Sequence, residues 1–103
     1  ADILAEVGRF ALVEGKVVSV RQAGTIWYVN FGRRRIEGFA ATISRRMMPA
    51  VEMQGLSLTS LAGRRVRIRG WVTRRGGPRI DIVHPGQIEP IDDNQAATAA
   101  RDE

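Results

Sequence analysis

Arginine supplies most of the chemistry available to this chain. Of its sixteen Lys and Arg residues, Lys16 is the only lysine. A guanidinium is planar, permanently charged and forked, so it matches phosphate oxygens two at a time and stacks on flat rings. The arginines fall in groups: Arg33-Arg34-Arg35, then Arg64, Arg65, Arg67 and Arg69, then Arg74-Arg75 with Arg79. Between Arg9 and Ile88 fifteen cations stand against four acids, Glu14, Glu37, Glu52 and Asp81, while the other acids sit at the two ends. The formal net charge of +5 therefore understates how basic the middle of the chain is. Such a surface suits an anionic polymer; the plain alternative is a basic surface that only keeps the domain soluble.

Catalytic chemistry has little to stand on. There is no cysteine, hence no thiolate nucleophile, no disulfide framework and no Cys-ligated zinc. His84 is the only histidine, so a zinc site or a histidine-dependent triad lacks its other members. The run from Gly32 to Gly38 has glycines but neither the Lys-Ser/Thr of a phosphate loop nor a dinucleotide-binding spacing, and it reads as a hairpin. Glu14 and Glu37 form a carboxylate pair only if the fold brings them together, which nothing in their spacing requires. We expect no catalytic residue, no metal and no cofactor.

The clearest element is the stretch 64–72. Strict alternation puts Val66, Ile68 and Val72 on one face of a strand and Arg65, Arg67, Arg69 and Trp71 on the other. Gly70 inside it predicts a bulge or a sharp bend, the device by which small closed barrels turn corners. Residues 10–20 read as a long first strand whose apolar parity changes near Val17-Val18, predicting a bulge there. Residues 21–24 form the first loop. In the second strand, 25–31, Trp27, Val29 and Phe31 face the core, and Ile26, Tyr28 and Asn30 face outward. A third strand over 36–44 turns Phe39, Ala41 and Ile43 inward, and its small outward residues Ala40 and Thr42 leave a surface open to a flat ligand. Ser44 can cap a helix reaching about Gln54, but Pro49 argues against an undisturbed one: either Met48 is the cap and the helix is about one and a half turns long, or its first turn is irregular. Residues 57–62 make a short turn, 74–78 a hairpin loop and 79–83 the fifth strand, and Ile88 and Ile91 close the end.

Three stretches follow: a linker or helical turn over 1–8, one folded domain over 9–91, and a disordered acidic tail over 92–103. With no initiator Met and no signal-peptide pattern, the chain reads as a piece of a longer protein, and its compartment is not encoded. No run of about 18 apolar residues is present, so no membrane partner is expected.

Strands and helix in this order describe a mainly β, five-stranded Greek-key barrel with one helix between the third and fourth strands, the oligonucleotide/oligosaccharide-binding (OB) fold. The runs Val13-Glu14-Gly15-Lys16-Val17-Val18-Ser19-Val20, Tyr28-Val29-Asn30-Phe31-Gly32, Leu61-Ala62-Gly63-Arg64-Arg65-Val66-Arg67-Ile68-Arg69-Gly70 and Pro78-Arg79-Ile80-Asp81-Ile82 resemble bacterial OB-fold domains. In particular they are similar to those joined to thermonuclease-like (staphylococcal-nuclease-type) modules, over about 9–91. The nuclease module's own calcium site needs an Asp-Gly-Asp-Thr-like run, whereas here no aspartate occurs between Asp2 and Asp81. The resemblance implies an accessory, non-enzymatic domain beside a nuclease-like one.

In this fold the ligand crosses the outer faces of the second and third strands between the first-to-second and fourth-to-fifth loops. That surface carries Tyr28, Asn30 and Thr42, with Arg21 in one loop and Arg74 and Arg75 in the other, and Arg33 and Arg34 extend it. Tyr28 either stacks a base or is half-buried against a neighbouring strand, and the arginines track phosphate. The expected partner is single-stranded DNA or RNA rather than duplex, bound with little sequence preference. The alternative is a protein-interaction or structural domain that packs on a catalytic neighbour. For Arg65, Arg67 and Arg69 three readings stand: a second phosphate path, an interface with an adjoining domain, or a solvated strand face.

Overall fold

The computed structural model describes residues 3–32 and 36–91, so the Arg33-Arg34-Arg35 run and the expected tail lie outside the described residues. Among the described residues six strands are present: β1 (Phe10–Ala23), β2 (Ile26–Phe31), β3 (Ala40–Ser44), β4 (Arg65–Arg74), β5 (Pro78–Ile82) and β6 (Ile88–Ile91). One α-helix, α1 (Met48–Met53), lies between β3 and β4, and short 3-10 turns cover Ile3–Glu6, Leu58–Ser60 and Pro85–Gln87. The protein is mainly β, and five of the strands close on themselves in the order β1, β2, β3, β5, β4 and back to β1; β6 adds to β4. All pairings are antiparallel except β3 with β5, which is parallel.

Closure depends on two strands that each serve two sets of neighbours. The first half of β1 pairs with β4, from Phe10↔Trp71 to Lys16↔Arg65, and its second half pairs with β2, from Val17↔Phe31 to Ala23↔Ile26. The register shifts between Val17 and Ser19, so the change of apolar parity in the sequence is a bulge that bends the strand between its two partners. On β4, Val66, Ile68 and Val72 are fully buried, as their alternation predicts. Gly70 is a bend and not a bulge, because the register Ala11↔Gly70, Phe10↔Trp71 runs through it without an extra residue. Its φ is +156°, and a Cβ there would lie 2.7 Å from Ile80 Cγ2 and 2.7 Å from Gln87 Nε2. The glycine stands where β4 leaves β1 and passes to β5, and the backbone there packs too closely on its neighbours to admit a side chain.

The core is built from Val13, Val17, Val29, Phe31, Phe39, Ile43, Ile68, Ile80 and Ile82, joined by Val51, Leu56, Leu58 and Leu61 from the connection between β3 and β4. Ile3, 3% exposed, joins the same core from the N-terminal turn. Trp27, expected in the core, packs against it only partly buried.

Several elements differ from their expected bounds for local reasons. The third strand begins at Ala40 and not at 36, because the Phe39 N–H donates to the Ile36 carbonyl at 3.0 Å and Gly38, φ +79°, closes a turn. The helix has six residues, with Pro49 in its first turn and Met47 as N-cap; the Ser44 hydroxyl instead accepts from the Met47 N–H at 3.3 Å in the turn before it. The first hairpin turns tightly at Gly24-Thr25, so Arg21, expected in a loop, is a strand residue paired with Tyr28. Ile88 and Ile91 are buried as expected, and they do so within a sixth strand on the edge of β4.

Candidate nucleic-acid interface

Cross-strand pairing sets outward side chains side by side around the closed sheet. One row runs Arg21 on β1, Tyr28 on β2, Thr42 on β3 and Asp81 on β5; the next holds Ser19, Asn30, Ala40, Arg79 and Thr73. Arg21, Tyr28, Asn30 and Arg79 therefore line one shallow cleft, with Ala23 at its edge. Arg79 lies over the Tyr28 ring, its Cζ 5.8 Å from the ring centroid, a cation–π arrangement that fixes the phenol from one side. The Arg79 guanidinium donates to the carbonyls of Gly38 at 2.7 Å and Pro78 at 2.9 Å, so it is held in place by backbone. The Asn30 amide donates to the Ser19 hydroxyl at 3.2 Å. Among the described residues the side chains of Arg21 and Arg74 take part in no hydrogen bond or ion pair.

Asp81 is the acid of this surface. Its Oδ1 accepts from the Thr42 hydroxyl and from the Arg75 guanidinium. The Arg75–Asp81 pair is solvent-facing, with side chains 58% and 44% exposed, so it contributes little to stability and can exchange partners. Thr42 and Ala40 do face outward, but they are not the open floor the sequence predicts: Thr42 is 7% and Ala40 1% exposed. Longer side chains on both neighbouring strands, Tyr28 and Asp81 beside Thr42, Asn30 and Arg79 beside Ala40, close over them. A ligand on this surface meets Tyr28 and the arginines, not the β3 backbone.

The opposite flank, with Arg67 and Arg69, is chemically different. Arg67 pairs with Glu14 on β1 and, at 3.1 Å, with Glu89 on β6; Arg69 reaches Glu89 at 2.7 Å and the Gly86 carbonyl at 2.8 Å. Hydrogen bonds from Arg69 and then Arg67 hold the Glu89 carboxyl below the usual carboxylate range, and those to Glu14 and then Glu89 raise the Arg67 guanidinium. The arginine face that asks for an anion in the sequence receives two from its own chain. His84 is exposed, and its N–H, with that of Val83, donates to the Gln87 side-chain oxygen at 2.8 and 2.7 Å, while the Gln87 amide donates to Arg69 O at 2.9 Å and Asp81 O at 3.2 Å. Glutamine thus ties off the strand ends at this corner. Among the described residues no group of three His, Cys, Asp or Glu side chains is placed to hold a metal ion.

Of the expected site, Arg21, Tyr28 and Asn30 share the cleft, Thr42 and Arg75 meet at Asp81, and Arg74 is exposed at the end of β4. Arg33 and Arg34 lie outside the described residues. Arg79 and Asp81 were not among the expected site residues. Their signal was the alternation Arg79-Ile80-Asp81-Ile82, which turns both outward once the isoleucines are buried.

No family model matches the chain, and no curated protein matches it. Among solved structures the chain is similar to one described as OBody AM1L10 bound to hen egg-white lysozyme. The TM-score is 0.53 at 20% sequence identity, over 86% of this chain and 85% of that one, a likeness of fold.

Proposed function

We propose that this chain is an accessory, non-enzymatic domain that binds single-stranded nucleic acid along its phosphate backbone with little sequence preference. In this reading the closed sheet is a Greek-key OB barrel, supported by the strand order β1, β2, β3, β5, β4 and by α1 between β3 and β4. The observation that carries the binding reading is the cleft of Arg21, Tyr28, Asn30 and Arg79, where the Arg79 guanidinium lies over the Tyr28 ring and Arg21, its cross-strand neighbour, lines the same cleft. Arginines beside a stacking ring meet phosphate and base at once, and stacking needs a base free of its duplex partner. The resemblance to domains joined to thermonuclease-like modules makes an adjoining nuclease-like domain the second partner, with this domain holding the strand and the neighbour supplying the chemistry.

The rival reading, a domain that packs on a protein neighbour, draws on the exposed apolar side chains Leu12, Val18 and Val83. Titration of fluorescent single-stranded and duplex oligonucleotides at low salt separates the two. Single strands are expected to bind more tightly, and Tyr28→Ala to weaken that binding by about 1–3 kcal/mol. Absence of binding to either form would hand the domain to the rival reading.

A further inference from the structure

We propose that Phe10 and Trp71 form a second base-stacking station for the same single strand, on the far side of Asp81 from Tyr28. This inference rests on the nucleic-acid reading above. Phe10 and Trp71 are cross-strand partners on β1 and β4, with ring centroids 5.9 Å apart and planes at 86°. Edge-to-face pairs of this kind are usual in cores, yet these two rings are 60% and 63% exposed. They border a cleft with Thr73, Asp81, Val83 and His84. The pair is not needed to fill the interior, since the inward residues of the same strands, Val13 and Val72, already do so.

Continuity with the first cleft argues for a nucleobase as the occupant. The row Arg21, Tyr28, Thr42, Asp81 steps from strand to strand, and Trp71, on the next strand, lines the same cleft as Asp81. From Tyr28 on β2 through β3 and β5 to Trp71 on β4 is three strand spacings, about 14 Å along the sheet. Arg75 stands between the two stations on a solvent-facing pair with Asp81, where it can trade that carboxylate for a phosphate. Arg69 also lines the aromatic cleft, but its guanidinium is engaged by Glu89 and the Gly86 carbonyl. The backbone contact therefore falls to Arg75, and the station itself offers rings. A strand running along this row places bases on Tyr28 and on the Trp71–Phe10 pair, with Arg21 and Arg79 at the first station and Arg75 between the two.

The test uses oligothymidylates of increasing length and two kinds of variant. Trp27→Phe leaves Trp71 as the only indole and does not alter the station. Its fluorescence is expected to quench with oligomers long enough to span both stations and to stay unchanged with the shortest that bind. Trp71→Ala is expected to weaken the long oligomers on the order of ten- to a hundredfold, leave the short ones unaffected and leave the salt dependence as it was. If oligomers bind and Tyr28→Ala weakens them, but Trp71 neither quenches nor matters to affinity at any length, this inference is overturned and the first station stands. That result would mark the aromatic pair as a protein-docking patch instead. If no oligomer binds at low salt, the nucleic-acid reading fails and this inference with it.

Discussion

Gly70→Ala perturbs the corner on which both faces of the sheet depend. Alanine at φ +156° is held in a region L-residues rarely adopt, a strain of about 1–3 kcal/mol. Its methyl would also stand 2.7 Å from Ile80 Cγ2, and Ile80 is fully buried, so relief requires a shift in the core. Overpacking of that kind costs about 1–3 kcal/mol. The narrower unfolded ensemble of alanine offsets about 0.4–1 kcal/mol. The net expectation is a loss of about 1–6 kcal/mol, a large share of the 5–15 kcal/mol or so that a domain of this kind possesses. Urea unfolding followed by circular dichroism reads the loss directly, and in a thermal scan each kcal/mol lowers Tm by about 4–8 °C. Gly86→Ala is the control, because a Cβ there meets nothing within 4 Å and no unusual φ is involved; it should stay within about 0.5 kcal/mol of the parent. If Gly70→Ala is as mild as Gly86→Ala, β4 does not turn its corner at this glycine.

Ile68→Ala, at a fully buried site on the same strand, is expected to cost about 2–5 kcal/mol in urea unfolding, and a loss under about 0.5 kcal/mol would put the strand in the wrong register. Glu89 has a folded-state pKa below its unfolded value, so its contribution is present above the ordinary glutamate value of about 4.3 and is lost as pH falls through the lower, folded one. Glu89→Gln is accordingly expected to be less stable than the parent at neutral pH and to show a shallower acid dependence below about pH 4.3, measured by unfolding at a series of pH values. Purified protein free of contaminating nuclease is expected to cleave neither DNA nor RNA, with or without calcium; metal-dependent cleavage in a gel assay would reverse the non-enzyme reading.

Local pattern made much of the fold legible. The alternation of Val66, Ile68 and Val72 gave β4 its inward face, and the parity change at Val17-Val18 gave the bulge in β1. Pro49 pointed to the short helix that the structure has. What escaped was set by distant pairing or by the tightness of a turn. The parallel pairing of β3 with β5 places Asp81 against Thr42 and Arg79 against Ala40 across 39 residues, and no local signal carries it. The same limit hid the neutralisation of Arg67 by Glu14, 53 residues away in sequence. Arg21 read as a loop residue because the polar run after Val20 resembles one, whereas pairing with β2 extends the strand to Ala23.

The salt dependence of oligonucleotide binding tests the central claim most directly. Each phosphate neutralised on a single strand releases about 0.7 counterions, so the logarithm of the binding constant falls linearly with that of salt concentration. Arg21 and Arg74 are free of partners among the described residues and Arg75 holds only a solvent-facing one, whereas Arg67 and Arg69 are bound to Glu14 and Glu89. Replacing Arg21, Arg74 and Arg75 together by alanine is expected to flatten the slope by about two, and replacing Arg67 and Arg69 by glutamine to leave it unchanged. A slope unmoved by the triple change, or flattened by the Arg67 and Arg69 changes instead, would contradict the assignment of the Tyr28 face as the phosphate path.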